Sequence, residues 1–95
     1  MNVSANISAM NAASYSFNVS ANNVANLSTE GFQADEAVKV SGNSGPTVVV
    51  KKTDRPPEIV DEMVNQMRQT YDFKANAKVI KMHDEMIGTM INTIA

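Results

Sequence analysis

The sequence contains no cysteine and no tryptophan, and two tyrosines and three phenylalanines are its only aromatic residues. Without cysteine the chain has no disulfide framework and no thiolate metal site. So few aromatic side chains exclude a wide aromatic core, and a small chain buries only about 60% of its unfolded surface. We therefore expect one thin domain that gains stability from a partner.

Strong charge of one sign is also absent. The formal net charge is −2, and no basic run is longer than Lys51-Lys52, which argues against nucleic acid or an anionic membrane surface as a partner. No window approaches 18 apolar residues, so we predict no direct membrane insertion. Residues 1–6 carry no positive charge, and we expect no cleaved signal peptide.

No motif of catalysis is present. His83 is the only histidine. Asp84 and Glu85 follow it, but adjacent side chains on a helix point apart, whereas a metal site needs three or four convergent ligands. We predict no enzyme, no cofactor, no metal and no small-molecule substrate. The alternative of a small enzyme would require a buried pair of titratable groups around His83.

A heptad pattern predicts the first helix. Apolar or small residues alternate at spacings of four and three, as in helices that pack on one another; they are Val3, Ile7, Met10, Ser14, Phe17, Ala21 and Val24. Leu27 widens the last turn. Asn22, Asn23 and Asn26 then offer side-chain amides near the helix end, and Gly31 can take the positive φ of a turn.

The middle of the chain changes to a strand pattern. Residues 32–40 alternate, and residues 47–50 are all β-branched, with turn chemistry in Ser41-Gly42-Asn43-Ser44-Gly45-Pro46 between them. This predicts a short β-hairpin with a loop of about four to six residues. An isolated two-stranded hairpin is marginal in water, so we expect it to pack on a helix or on another subunit.

A second helix is predicted to begin near Pro57 and to cover about 35 residues. It continues the four-three alternation at Ile59, Met63, Gln66, Thr70, Phe73, Ala77, Ile80, Asp84, Ile87, Ile91 and Ile94, and Met67, Met86 and Met90 broaden it. Such a helix is too long to bury its face against the first helix alone. Its last third should expose an apolar strip, which usually marks an interface.

Two sequence signatures carry a resemblance to a known family. The first is Ala21-Asn22-Asn23-Val24-Ala25-Asn26-Leu27-Ser28-Thr29-Glu30-Gly31-Phe32. The second comprises Val60-Asp61-Glu62-Met63-Val64-Asn65, Phe73-Lys74-Ala75-Asn76-Ala77-Lys78 and Asp84-Glu85-Met86. Together they resemble the signatures of the bacterial flagellar rod and hook family of axial proteins, most closely its small proximal rod proteins. Val24 replaces the usual Ile, and Lys74 reverses a usual negative charge.

The resemblance implies a mainly α fold in which the N- and C-terminal helices pair as a coiled-coil-like hairpin around a short β-hairpin insert. The implied parts are residues 1–31 (first rod-core helix), 32–55 (insert and linker) and 56–95 (second rod-core helix). It also implies export through the flagellar type III channel, assembly in the periplasm, and location in the basal body. The implied partners are further copies of the chain and other flagellar axial proteins.

We therefore predict a self-assembling structural subunit of the flagellar rod. The alternative is an adaptor or export-associated protein that binds axial proteins through rod-type helices without polymerising. Polar amides beside a helical seam can fix its register, and we assign that role between stacked subunits to Asn22, Asn23 and Asn26. The predicted interface residues are Ile7, Met10, Phe17, Asn22, Asn23, Val24, Asn26, Leu27, Gly31, Phe32, Met63, Met67, Phe73, Asn76, Ile80, Met86, Ile87, Met90, Ile91 and Ile94.

Overall fold

Two helices flank a β-hairpin in the computed structural model, which describes residues 3–43 and 45–94. The order is α1 (Ser4–Ala25), β1 (Asp35–Gly42), β2 (Gly45–Lys52) and α2 (Ile59–Ile94). The helices pack against each other, and α1 also packs against both strands. The predicted helical hairpin with a β insert is therefore confirmed, in a molecule that extends 64 × 24 × 13 Å.

The helix ends follow from local sequence. Asn26 caps α1, and the chain then turns at Gly31, whose φ is +77°. The helix α2 begins at Ile59, two residues after the second proline of Pro56-Pro57, and Asp61 and Glu62 lie in its first turn, where negative charge complements the helix dipole. Neither helix combines the length and apolar character needed to cross a membrane, for the ranges described above.

The contact between the helices uses small and polar side chains. The residues of α1 that are buried are Ala12, Ala13, Ser16, Ser20 and Asn23, and on α2 Gln69 is buried. Four of these, Ala13, Ser16, Ser20 and Asn23, keep a three-four-three spacing that lies one residue before the predicted apolar stripe. The contact with α2 therefore uses this repeat of α1 rather than the apolar stripe beside it, because small side chains let two helix backbones approach more closely than Met or Phe would.

Two hydrogen bonds set the register of the antiparallel helices. Asn6 Nδ2 donates to Asn76 Oδ1 at 3.0 Å, and Ser20 Oγ donates to the backbone oxygen of Glu62 at 3.0 Å. With 36 residues against 22, α2 runs past the beginning of α1. Residues 84–93 are all exposed, a length of about 15 Å at 1.5 Å per residue. We call residues 84–94 the overhang.

The β-hairpin lies on α1 with a shorter loop than expected. Its antiparallel register pairs Gly42 with Gly45, so the strands continue through most of the segment predicted as a loop of four to six residues. That prediction was wrong because Gly45 adopts a φ of +122°, which allows a tight turn at this point. A Cβ on Gly45 would lie 3.0 Å from Ala5 Cα, and Ser8 Oγ donates to the backbone oxygen of Pro46 at 2.6 Å.

Replacement of Ala13 by Leu tests the close contact between the helices. Ala13 is 1% exposed, so the larger side chain must push the helices apart, and we expect a loss of about 1–3 kcal/mol in the free energy of unfolding. The matched control is Ala21→Leu, the same change at an exposed position of α1, which should alter stability by less than about 0.5 kcal/mol. Urea titration followed by circular dichroism measures both; equal losses would contradict the assigned contact.

Candidate assembly interface

Asn23 joins three elements of the structure. Its Nδ2 donates to the backbone oxygen of Asp35 at 2.8 Å and to the two carboxylate oxygens of Glu62 at 3.0 Å each. Its Oδ1 accepts from the backbone N–H of Asp35 at 2.9 Å. The side chain is 1% exposed. Asn23 therefore fixes the start of β1 and the first turn of α2 to the end of α1, within one subunit.

The contact between α1 and α2 contains polar side chains on both sides of its centre. Ser20 Oγ accepts from Gln66 Nε2 at 3.3 Å in addition to its bond with Glu62. Ser16 Oγ and Gln69 Oε1 are buried and have no hydrogen-bond partner among the described residues. Because unpaired buried polar atoms cost free energy, this contact stabilises one subunit less than an apolar seam of the same length would.

Asn22 and Asn26 act in the turn after α1. Asn26 Nδ2 donates to the backbone oxygen of Asn22 at 2.9 Å, and Asn26 Oδ1 accepts from Thr29 Oγ1 at 3.1 Å. The Phe32 ring follows, half-buried, with Lys52 Nζ at 4.0 Å from its centroid. These contacts position the chain where it leaves α1, and Asn22 itself remains exposed.

The apolar stripe lies on the side of the helix pair that faces away from the β-hairpin. Ser8 contacts the hairpin, and Phe17 follows Ser8 by nine positions, a rotation that places it about 180° away around α1. Phe17 lies between two shallow grooves. Met63, Met67, Thr70 and Phe73 of α2 line them. We call this surface the Phe17 groove.

Most predicted interface residues are accessible in the subunit. Ile7, Phe17, Leu27, Met63, Met67 and Phe73 are exposed, with Met67 at 70% and Phe17 at 37%. Met10, Val24, Asn26, Phe32, Asn76 and Ile80 are half-buried, Gly31 is exposed, and Asn23 is the buried member of the predicted set. The side chain of Ile94 lies outside the described part of the chain.

The overhang carries a second accessible apolar surface, formed by Met86, Ile87, Met90 and Ile91, which are 43–60% exposed. Ile87 follows Asn76 by eleven positions, close to three full turns, so both lie on nearly the same face of α2. Asn76 is held by Asn6 of α1. The apolar side of the overhang therefore continues the face of α2 that α1 covers around Asn76.

Sequence reasoning missed the residues that hold the subunit together. Ala13, Ser16 and Ser20 on α1, with Glu62 and Gln69 on α2, carry the contact and were not among the candidates. The available signal was the second four-three repeat, one residue before the apolar one, composed of small residues. Heptad reasoning selected the more hydrophobic of the two repeats.

These features define a class of protein, an elongated helical hairpin with a β-hairpin between its helices and apolar residues on its outside. Two models of known families match the chain. Residues 4–33 match the family model described as "Flagella basal body rod protein", and residues 58–93 match "Flagellar basal body rod FlgEFG protein C-terminal". None of the curated proteins matches the chain significantly.

The two matches cover α1 with the turn after it and almost all of α2, and leave the β-hairpin between them. The chain belongs to the bacterial flagellar rod and hook family of axial proteins. It is a component of the flagellar basal-body rod, and the matched families are structural proteins rather than enzymes. The resemblance predicted from the two signatures is confirmed.

Replacement of Asn23 by Ala tests the junction of α1, β1 and α2. The change leaves the Asp35 backbone groups and the Glu62 carboxylate without their partner, and we expect a loss of about 2–3 kcal/mol in the free energy of unfolding. Asn22→Ala is the matched control, since Asn22 is exposed and its side chain contacts only Asn26 in the contacts described here. Urea titration of both variants is the measurement, and a stable Asn23→Ala protein would contradict the role of the junction.

Proposed function

We propose that the chain is a structural subunit of the flagellar rod that self-assembles through its terminal helices. The observation that carries this proposal is the inverted placement of side chains. The buried residues of the two helices are small or polar, whereas most of their large apolar residues are exposed. Contiguous exposed apolar surface in a soluble protein marks a place where another protein binds.

The overhang supports contact between successive subunits. Its apolar face continues the face of α2 that α1 covers, but α1 begins at Ser4 and does not extend along the overhang. A neighbouring helix stacked end to end with α1 would cover Ile87 and Ile91 in the same way that α1 covers Asn76. A contact of this head-to-tail kind does not close on itself and generates a filament.

The remaining features that we propose are those of the flagellar rod and hook family. Residues 1–31 and 56–95 form the rod core, and residues 32–55 form a reduced insert of the kind that the small proximal rod proteins have. The subunit passes through the type III export channel and assembles in the periplasm, with copies of itself and other axial proteins as partners. It acts without catalysis and without a cofactor. A polar contact inside the subunit also supports folding coupled to assembly.

Replacement of Ile87 by Asp tests the overhang as an assembly surface. Ile87 is 43% exposed in the subunit, so the variant should keep its helical content, while a charge buried between subunits should abolish incorporation and motility. Thr89→Asp is the matched control. Thr89 is exposed and lies about 160° away from Ile87 around the helix.

The measurement is the number of labelled copies per isolated basal body, together with swimming in soft agar. A rod subunit should be present in several copies and resist washing, and the Ile87→Asp variant should be lost while Thr89→Asp is retained. Release of the wild-type chain on washing would instead indicate the adaptor function. Normal incorporation of Ile87→Asp would contradict the overhang as the assembly surface.

A further inference from the structure

The β-hairpin has two outer edges, and contacts within the subunit protect one of them. Both backbone groups of Asp35 bond to the side chain of Asn23, at 2.8 and 2.9 Å, so they point away from β2. Farther along β1, Lys39 reaches Asp72 of α2 at 3.1 Å. The outer edge of β1 therefore lies on the side of the hairpin nearer α2, and Asn23 covers its beginning.

The outer edge of β2 is open beyond Pro46, whose carbonyl is bound by α1. Backbone groups alternate between the two sides of an antiparallel strand. Because Asp35 is paired with Lys52, the N–H and C=O groups of Val48 and Val50 also point away from β1. Within the ranges that the structure describes, no residue outside the hairpin bonds to these groups.

The composition of this edge suits strand pairing. Residues 47–50 are β-branched and uncharged, and their register with β1 is continuous, without a bulge. Proteins usually protect an edge with a charge, a bulge or a covering element. The lysines that follow are matched within the hairpin, since Lys52 Nζ lies 3.3 Å from Asp35 Oδ1 and Lys51 stands opposite Glu36. Net charge on the edge therefore does not repel a second strand.

We propose that the outer edge of β2 pairs with the same edge of a second copy, antiparallel around a two-fold axis at Val49. This axis sets Val48 of each copy opposite Val50 of the other, and their outward backbone groups form about four hydrogen bonds. Val49 then stands opposite its own copy and Lys51 opposite Thr47. An axis at Lys51 would instead oppose like charges, which is destabilising.

A second copy is the occupant that leaves no open edge. An extended segment of another protein would cover β2 but would present its own outer edge to solvent. Two hairpins of two strands each, joined through β2, form a sheet in the order β1-β2-β2-β1. Both of its outer edges are β1 edges, which lie near α2. The larger sheet is also more stable than an isolated two-stranded hairpin.

The pairing goes beyond the proposed function, and its consequence for assembly rests on that function. The two-fold axis reverses the second subunit, so the two overhangs point in opposite directions. A head-to-tail stack needs every subunit in the same direction. The pair is therefore a state of the chain before assembly, and it must separate before a subunit enters the stack.

Disulfide formation by V49C tests the two-fold axis, because the chain has no cysteine of its own. Residues directly opposite in such a pair have Cα atoms about 4.5 Å apart, which permits a disulfide, so V49C should oxidise to a covalent dimer. V40C is the matched control and should remain monomeric. Val40 is 39% and Val49 is 46% exposed, and both lie on the same face of the hairpin. Both variants also carry Ile87→Asp, which removes the overhang contact.

Replacement of Val50 by Pro tests the backbone hydrogen bonds. Its N–H points away from β1, so proline removes no bond within the hairpin but removes one bond to the partner from each copy. We expect dimerisation about 30-fold weaker. Val50→Thr keeps the N–H and should dimerise as the wild type does. Sedimentation equilibrium from about 10 μM to about 1 mM measures this weak contact, and circular dichroism checks that both variants stay folded.

No disulfide from V49C, or equal yields from V49C and V40C, would overturn the pairing whether or not the proline variant folds. A disulfide between V49C and V40C chains in a mixture would set β2 against β1, and would also overturn it. The number of copies per basal body is measured separately, so each of these results leaves the proposed rod function standing.

Discussion

Small side chains between α1 and α2 set the distance between the two helices, and the remaining features depend on that distance. Ala13, Ser16 and Ser20 allow the backbone of α2 to come close enough for Ser20 Oγ to reach the carbonyl oxygen of Glu62. At the end of this contact Asn23 binds Glu62 and Asp35 together. The same contact thereby fixes where β1 begins and where the hairpin lies on α1.

A close polar contact inside the subunit has a consequence for its outside. The helix α1 has one face of small or polar residues and one of large apolar residues, and the first is used internally. Apolar burial supplies most of the free energy of folding, so a subunit that leaves Phe17, Met67 and Ile91 accessible keeps much of that free energy for contacts with other molecules. This distribution suits the assembly that we propose for this component of the flagellar basal-body rod.

The hairpin makes the two sides of the molecule unlike each other. It covers the side of α1 that carries Ser8 and leaves the side that carries Phe17 open. The two sides of the molecule therefore present different surfaces, a strand surface on one and the Phe17 groove on the other.

The sequence by itself determined the two helices, the β-hairpin between them, the turn at Gly31 and the apolar overhang. These features follow from local patterns, namely four-three spacing, β-branched runs and glycine at a positive φ. It also pointed to the family, because two signatures stand in the right order at the two ends of the chain. The accessible residues Phe17, Met63 and Ile87 were identified from the four-three spacing of apolar residues.

Only the tertiary structure decided which repeat of α1 faces inward. Two heptad repeats, offset by one residue, run along α1, and spacing alone cannot separate them. Hydrophobicity favours the repeat with Ile7 and Phe17, but close approach of the backbones selects the repeat with Ala13 and Ser16. The role of Asn23 was decided in the same way, because its partners Asp35 and Glu62 are brought together by packing and are distant in the chain.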